Sequence, residues 1–231
     1  ILPAGATTQD LRVSVGESSL IQLQGARHVQ IKGFVLEENN VDALSIRDAS
    51  FVVVQNCTIR NIRKSGIYMQ GGEKNTITGC DVHDTGTGGI MFFGGDRKTL
   101  TPGGHVVENC HIWRFSIYQL TYANGLMIGG VGNTARHNFL HDAPHQAVAI
   151  SGNDHVFEYN MVSNVLTAAD DAGALYKGRD PSCRGNMIRY NYWTHIGTPR
   201  GHGNAAIYFD DGDGGDFVVG NIFFQCGEPG K

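Results

Sequence analysis

The sequence predicts an all-β chain wound into a right-handed parallel β-helix, a solenoid of about eight coils. Two observations carry this: a short motif recurring every 22 to 31 residues, and strand-like alternation with no helical stretch between repeats. A third is the composition, with 32 glycines and only 17% charged residues in 231 positions, which suits neither a helical bundle nor a disordered chain.

The motif is an apolar residue, two variable residues, a Cys or Asn, and a further apolar residue. Anchored on the Cys or Asn, it runs Phe34, Cys57, Cys80, Cys110, Asn138, Asn160, Asn191 and Asn221. Three residues before each anchor stand Ile31, Val54, Ile77, Val107, Ala135, Phe157, Ile188 and Val218. The apolar position after each anchor is read as Val35, Ile59, Val82, Ile112, Leu140, Val162, Trp193 and Phe223. Stacked at the spacing of neighbouring strands, about 4.8 Å, the anchors should form one internal row, with the asparagines bonding along the axis. Cys57, Cys80 and Cys110 are then buried free thiols filling that row. Five cysteines without CxxC spacing suggest neither a zinc site nor a disulfide framework.

A second strand completes each repeat: "IQL" (21–23), "LSI" (44–46), "IYM" (67–69), "IMF" (90–92), "LMI" (126–128), "VAI" (148–150), "ALY" (174–176) and "IYF" (207–209). Parallel strands joined in this way predict right-handed crossovers. Leucine-rich repeats lack their consensus here, and propeller blades would need four antiparallel strands. The chain reads as one domain over 1–231. Its open terminal edges lead us to expect further segments or a neighbouring chain over the ends.

A net charge of −4 argues against nucleic-acid or membrane-surface binding, and no apolar run approaches the roughly 18 residues of a membrane span. No cofactor is expected. "DDGDGGD" (210–216) lacks the distal glutamate of a calcium loop and reads as a glycine-rich turn, so no metal is expected either.

Connections of unequal length are where a rigid solenoid puts binding and chemistry. Here the long ones are 115–124, 163–173 and 197–205, holding Tyr118, Tyr122, Asn124, Asp170, Asp171, Arg200 and His202. If Ala174 and Tyr176 point inward, then Asp171, Leu175 and Lys177 point outward. A groove lined by His145, Asp171, Lys177, Arg179, Tyr208, Asp210 and nearby His202 is expected. The remaining histidines read as surface residues.

The segments "GNDHVFEYN" (152–160), "DAGALYKGRD" (171–180), "GNMIRYNYWTHI" (185–196), "AIYFDDGDGG" (206–215) and "VVGNIFF" (218–224) resemble right-handed β-helix carbohydrate-active enzymes. The nearest likeness is to glycoside hydrolase family 141, with fucosidase and xylanase members, and it covers about residues 140–225. The resemblance implies a catalytic aspartate pair, carried onto Asp171 and either Asp210 or Asp211, and a glycan substrate. It also implies a secreted or periplasmic enzyme. The chain departs from that family in being short, without an N-terminal cap or further C-terminal coils. Glycoside hydrolysis needs an acid to protonate the leaving oxygen and a carboxylate as nucleophile or base. Lys177 and Arg179 would instead suit a polysaccharide lyase, as base and charge clamp. A non-catalytic carbohydrate-binding β-helix is the other alternative.

Overall fold

The computed structural model describes Gly5, residues 13–198 and residues 201–230. Among these are 26 strands and no helix, so no helix is long and apolar enough to cross a membrane. The strands form three sheets of ten, eight and eight members. Every ladder is parallel except the short Thr101–Pro102 strand, which pairs antiparallel with Gly95–Asp96. Each coil contributes one strand to each sheet, and the apolar interior runs unbroken from Ile31 to Ile207. The architecture is the expected parallel β-helix.

The corner before the anchor explains why the repeat is spelled as it is. The residue ahead of each anchor has positive φ in every coil: Gly33, Asn56, Gly79, Asn109, His137, Tyr159, Tyr190 and Gly220. Glycine and asparagine tolerate that left-handed conformation; Tyr and His do so at a cost of about 1 kcal/mol or more each. Stacking offsets part of the cost, since the rings of His137, Tyr159 and Tyr190 follow one another at 5.2 and 5.3 Å.

Past that corner the anchors from Cys57 to Asn221 form the expected internal row; Phe34, on the first coil, does not join it, its ring being 52% exposed while Ile31 and Leu36 fill the interior there. The backbone N–H groups of Cys110, Asn138, Asn160 and Asn191 each donate to the Oδ1 of the asparagine one coil on, at 2.9 to 3.0 Å. The Nδ2 groups of Asn138, Asn160, Asn191 and Asn221 donate to the carbonyls of Val107, Ala135, Phe157 and Ile188. The thiols of Cys57, Cys80 and Cys110 point at the equivalent carbonyls of Ile31, Val54 and Ile77, at 3.8 to 3.9 Å, and are buried and free. One inward position differs from the sequence reading. Leu36, not Val35, pairs with Ile59 and is buried, while Val35 pairs with Thr58 and is exposed.

A second polar row, absent from the sequence reading, lies five residues before the six anchors from Cys80 to Asn221. The N–H groups of Val52, Asn75, His105, Asn133, His155 and Asn186 donate in turn to side chains of the next coil. Their acceptors are Asn75 Oδ1, His105 Nδ1, Asn133 Oδ1, His155 Nδ1, Asn186 Oδ1 and Asp216 Oδ1, at 2.9 to 3.2 Å. His105 and His155 are therefore fully buried, not surface residues. Acting as acceptors at Nδ1, both imidazoles must be neutral, with their proton on Nε2.

Candidate functional site

The strand over Gly173–Gly178 sits one residue out from its expected phase. Leu175 pairs with Val148 on one side and with Ile207 on the other, and all three are buried. Leu175 and Lys177 therefore point inward, and Tyr176 points outward. Lys177 pairs with Phe209 and falls in the inward row of Leu23, Ile46, Met69, Phe92 and Ile128. It is 1% exposed, so it does not line a groove. Its ammonium donates to the carbonyl of Cys183 at 2.5 Å, pairs with Asp213, and lies 3.0 Å from Asp216. Both carboxylates are fully buried, so the "DDGDGGD" turn folds two aspartates into the interior around one lysine.

On the outer face, Tyr176 and Tyr208 stand side by side in register, edge to face, with ring centroids 5.8 Å apart. Their hydroxyls reach in opposite directions. Tyr208 donates to Asp171 at 3.2 Å, and Tyr176 donates to Asp210 at 2.8 Å. Burial and the Asp210 carboxylate push the Tyr176 phenol up to about 12. The glycines of "DAGALYKGRD" make room for this pair. A Cβ on Gly173 would lie 2.6 Å from the Tyr208 Cβ, and one on Gly178 would lie 2.9 Å from the Tyr176 hydroxyl.

The two aspartates sit at opposite ends of the strand pair. Gly173 pairs with Ala205 and Gly178 with Asp210, five residues or roughly 17 Å along the strands. Asp171 turns at φ 47°, and its N–H donates to the His202 carbonyl at 2.8 Å. In return His202 N–H donates to Asp170 Oδ1 at 3.0 Å, and Asn204 Nδ2 donates to Ala169 O at 2.9 Å. The loops 163–173 and 197–205 are thus clipped together beside Asp171; Arg200 lies outside the described residues. Asp211 meets Arg179 at 3.0 Å, but both side chains are well exposed, so the pair contributes little.

His145 is nearly buried, its ring 5.1 Å from the exposed ring of Tyr122, and burial holds its imidazole below the usual histidine range. Asp180, the last residue of "DAGALYKGRD", is held by Arg97, Ser182 and Cys183. Among the described residues no group of three or more His, Cys, Asp or Glu side chains is arranged to hold a metal.

The sequence model of the family described as "Right handed beta helix region" matches residues 19–179. The chain belongs to that family. Two solved structures resemble this right-handed β-helix. One, described as "Glycoside hydrolase", superposes with a TM-score of 0.62 at 14% identity, over 82% of this chain and 37% of its own. The other is a GH136 lacto-N-biosidase from Eubacterium ramulus, with a TM-score of 0.43 at 12% identity, over 91% of this chain and 63% of its own. The β-helix thus spans little more than a third of the first protein's length and under two thirds of the second's. No curated protein sequence matches it.

Proposed function

We propose that this β-helix is a glycoside hydrolase, binding a glycan on the outer face of the ten-stranded sheet, which holds Gly173–Gly178 and Ala205–Asp210. In this reading Asp171 and one of Asp210 and Asp211 supply the acid and the nucleophile or base. The observation that carries it is the tyrosine pair whose hydroxyls rest on Asp171 and Asp210. The partly exposed Tyr176 ring offers apolar area to a sugar, Tyr208 beside it is nearly buried, and each carboxylate is oriented by a phenol. Arg179, beside Asp211, and His202, whose backbone bonds to Asp170 and Asp171, are the polar groups around them, and the nearly buried His145 is assigned to the same groove. The likeness to a glycoside hydrolase supports the class through the fold. The motifs "DAGALYKGRD" and "AIYFDDGDGG" support the finer assignment to family 141. A secreted or periplasmic place goes with a glycan substrate.

A second reading, a non-catalytic carbohydrate-binding β-helix, is favoured by one observation. Catalytic carboxyl pairs lie about 5 to 9.5 Å apart, less than the length of the strand pair that separates Asp171 from Asp210. A lyase reading built on Lys177 loses its base, because that ammonium is buried among carboxylates.

A reducing-sugar assay over plant and bacterial polysaccharides, with absorbance near 235 nm for unsaturated products, separates the three. On an active substrate, Asp171→Asn and Asp210→Asn should each cut turnover roughly a hundredfold or more with little change in melting temperature. Wild-type rates in both variants and in Asp211→Asn would make the aspartates structural. Glycan binding without cleavage would establish the second reading.

A further inference from the structure

The outer face of the eight-stranded sheet that holds Asp81–Thr85, His111–Trp113 and Phe139–His141 carries a cluster that the proposed glycan site does not use. His83, Trp113 and His141 occupy one row of that face, and Asp81, His111 and Phe139 occupy another, on three successive coils. Trp113 stacks on His83 at 4.2 Å and on His111 at 4.0 Å, and Phe139 stacks on His141 at 4.3 Å. These ring contacts fix where the imidazole nitrogens point.

They point at each other. His111 Nε2 and His141 Nε2 are 2.6 Å apart. Two ring nitrogens that close need either a shared proton or a cation between them. Behind each ring, the other nitrogen faces a carboxylate. His141 Nδ1 is 2.9 Å from Asp142 and His111 Nδ1 is 3.7 Å from Asp81. A carboxylate on Nδ1 turns Nε2 outward and makes it more basic, which is how metal-ligating histidines are usually held.

The local charge points the same way. Asp81, Asp84 and Asp142 carry three negative charges, and Arg114, bound to Asp84 through two hydrogen bonds, supplies one positive charge. Arg60, in register with His83, is matched by Glu37 at 2.7 Å. With neutral imidazoles, two negative charges are left, the complement of a dication.

We propose that His111 Nε2 and His141 Nε2 chelate one divalent transition ion of the zinc and copper class, with water completing the coordination. Imidazole nitrogen selects these ions over calcium and magnesium, which prefer oxygen. Tetrahedral ligation at 2.0 to 2.1 Å needs nitrogens about 3.3 Å apart, so the rings must open by about 0.7 Å from 2.6 Å, which partly exposed side chains can do. The site lies on a different sheet from Asp171 and Asp210, so it stands or falls apart from the glycosidase reading.

Isothermal titration of the untagged chain with Zn2+ and with Cu2+, beside Ca2+ and Mg2+, tests it. We expect one saturable site for the first two and none for the others. His111→Ala and His141→Ala should each abolish it, Asp142→Asn should weaken it by roughly tenfold or more, and His195→Ala on the same sheet should leave it intact. Circular dichroism checks that the variants keep the fold. Absence of saturable Zn2+ or Cu2+ binding, or binding that survives either alanine substitution, overturns the proposal.

Discussion

His105 and His155 make the stability of this solenoid depend on pH in a way that can be worked out. Each accepts a backbone N–H through Nδ1, and burial pushes each down to about 4, from an ordinary value of 6.5. The sign follows from which state binds protons. Above pH 6.5 both states are neutral there and nothing is lost. As the pH falls from 6.5 towards 4, the unfolded chain takes up two protons that the folded chain refuses, so stability falls. Each histidine costs about 3 kcal/mol once the pH is below 4. At pH 4.5 the two together should remove about 5 kcal/mol relative to pH 7, a large share of a typical 5–15 kcal/mol. The matched perturbation is His105→Asn with His155→Asn. Asparagine stands in the same row at Asn75, Asn133 and Asn186, where its Oδ1 accepts the same N–H without titrating. Urea unfolding at pH 7 and 4.5 gives the test. The double variant should lose about 5 kcal/mol less than the wild type over that interval, even if its smaller side chains cost stability at both pH values. A difference below about 1 kcal/mol would refute the buried-acceptor reasoning.

Asn160→Ala removes the acceptor for Asn138 and the donor to Ala135 O, so it should destabilise the chain by about 3 kcal/mol in denaturant unfolding. Lys177→Met restores the apolar side chain that other coils use, yet it leaves Asp213 and Asp216 buried without their cation; the expected cost is about 3–5 kcal/mol. Adding Asp213→Asn and Asp216→Asn to Lys177→Met should recover a good part of that loss, and a triple variant no more stable than the single one would show that the ammonium is not what balances the pair.

Much of the fold was legible in the sequence because a solenoid repeats its local rules. The anchor row from Cys57 to Asn221 and the inward apolar positions recur in every coil, and period-2 alternation sets which residue faces in. The row at Asn75, His105, Asn133, His155, Asn186 and Asp216 was equally legible, at a constant five residues before the anchor, but its residue types alternate and so hide the repeat. What the sequence could not settle was phase where the connections lengthen. After the 163–173 loop, "ALY" and "LYK" both alternate acceptably, and only packing against Val148 and Ile207 put Leu175 and Lys177 inside. One residue of slip exchanged the roles of Tyr176 and Lys177, turning a supposed groove lysine into a buried counter-ion and a supposed core tyrosine into a partner of Asp210. The pairing of Tyr208 with Asp171, and of His111 with His141, joins residues 37 and 30 positions apart. Such contacts are set by which coil stacks on which and by how far a side chain reaches, and both are properties of the assembled solenoid.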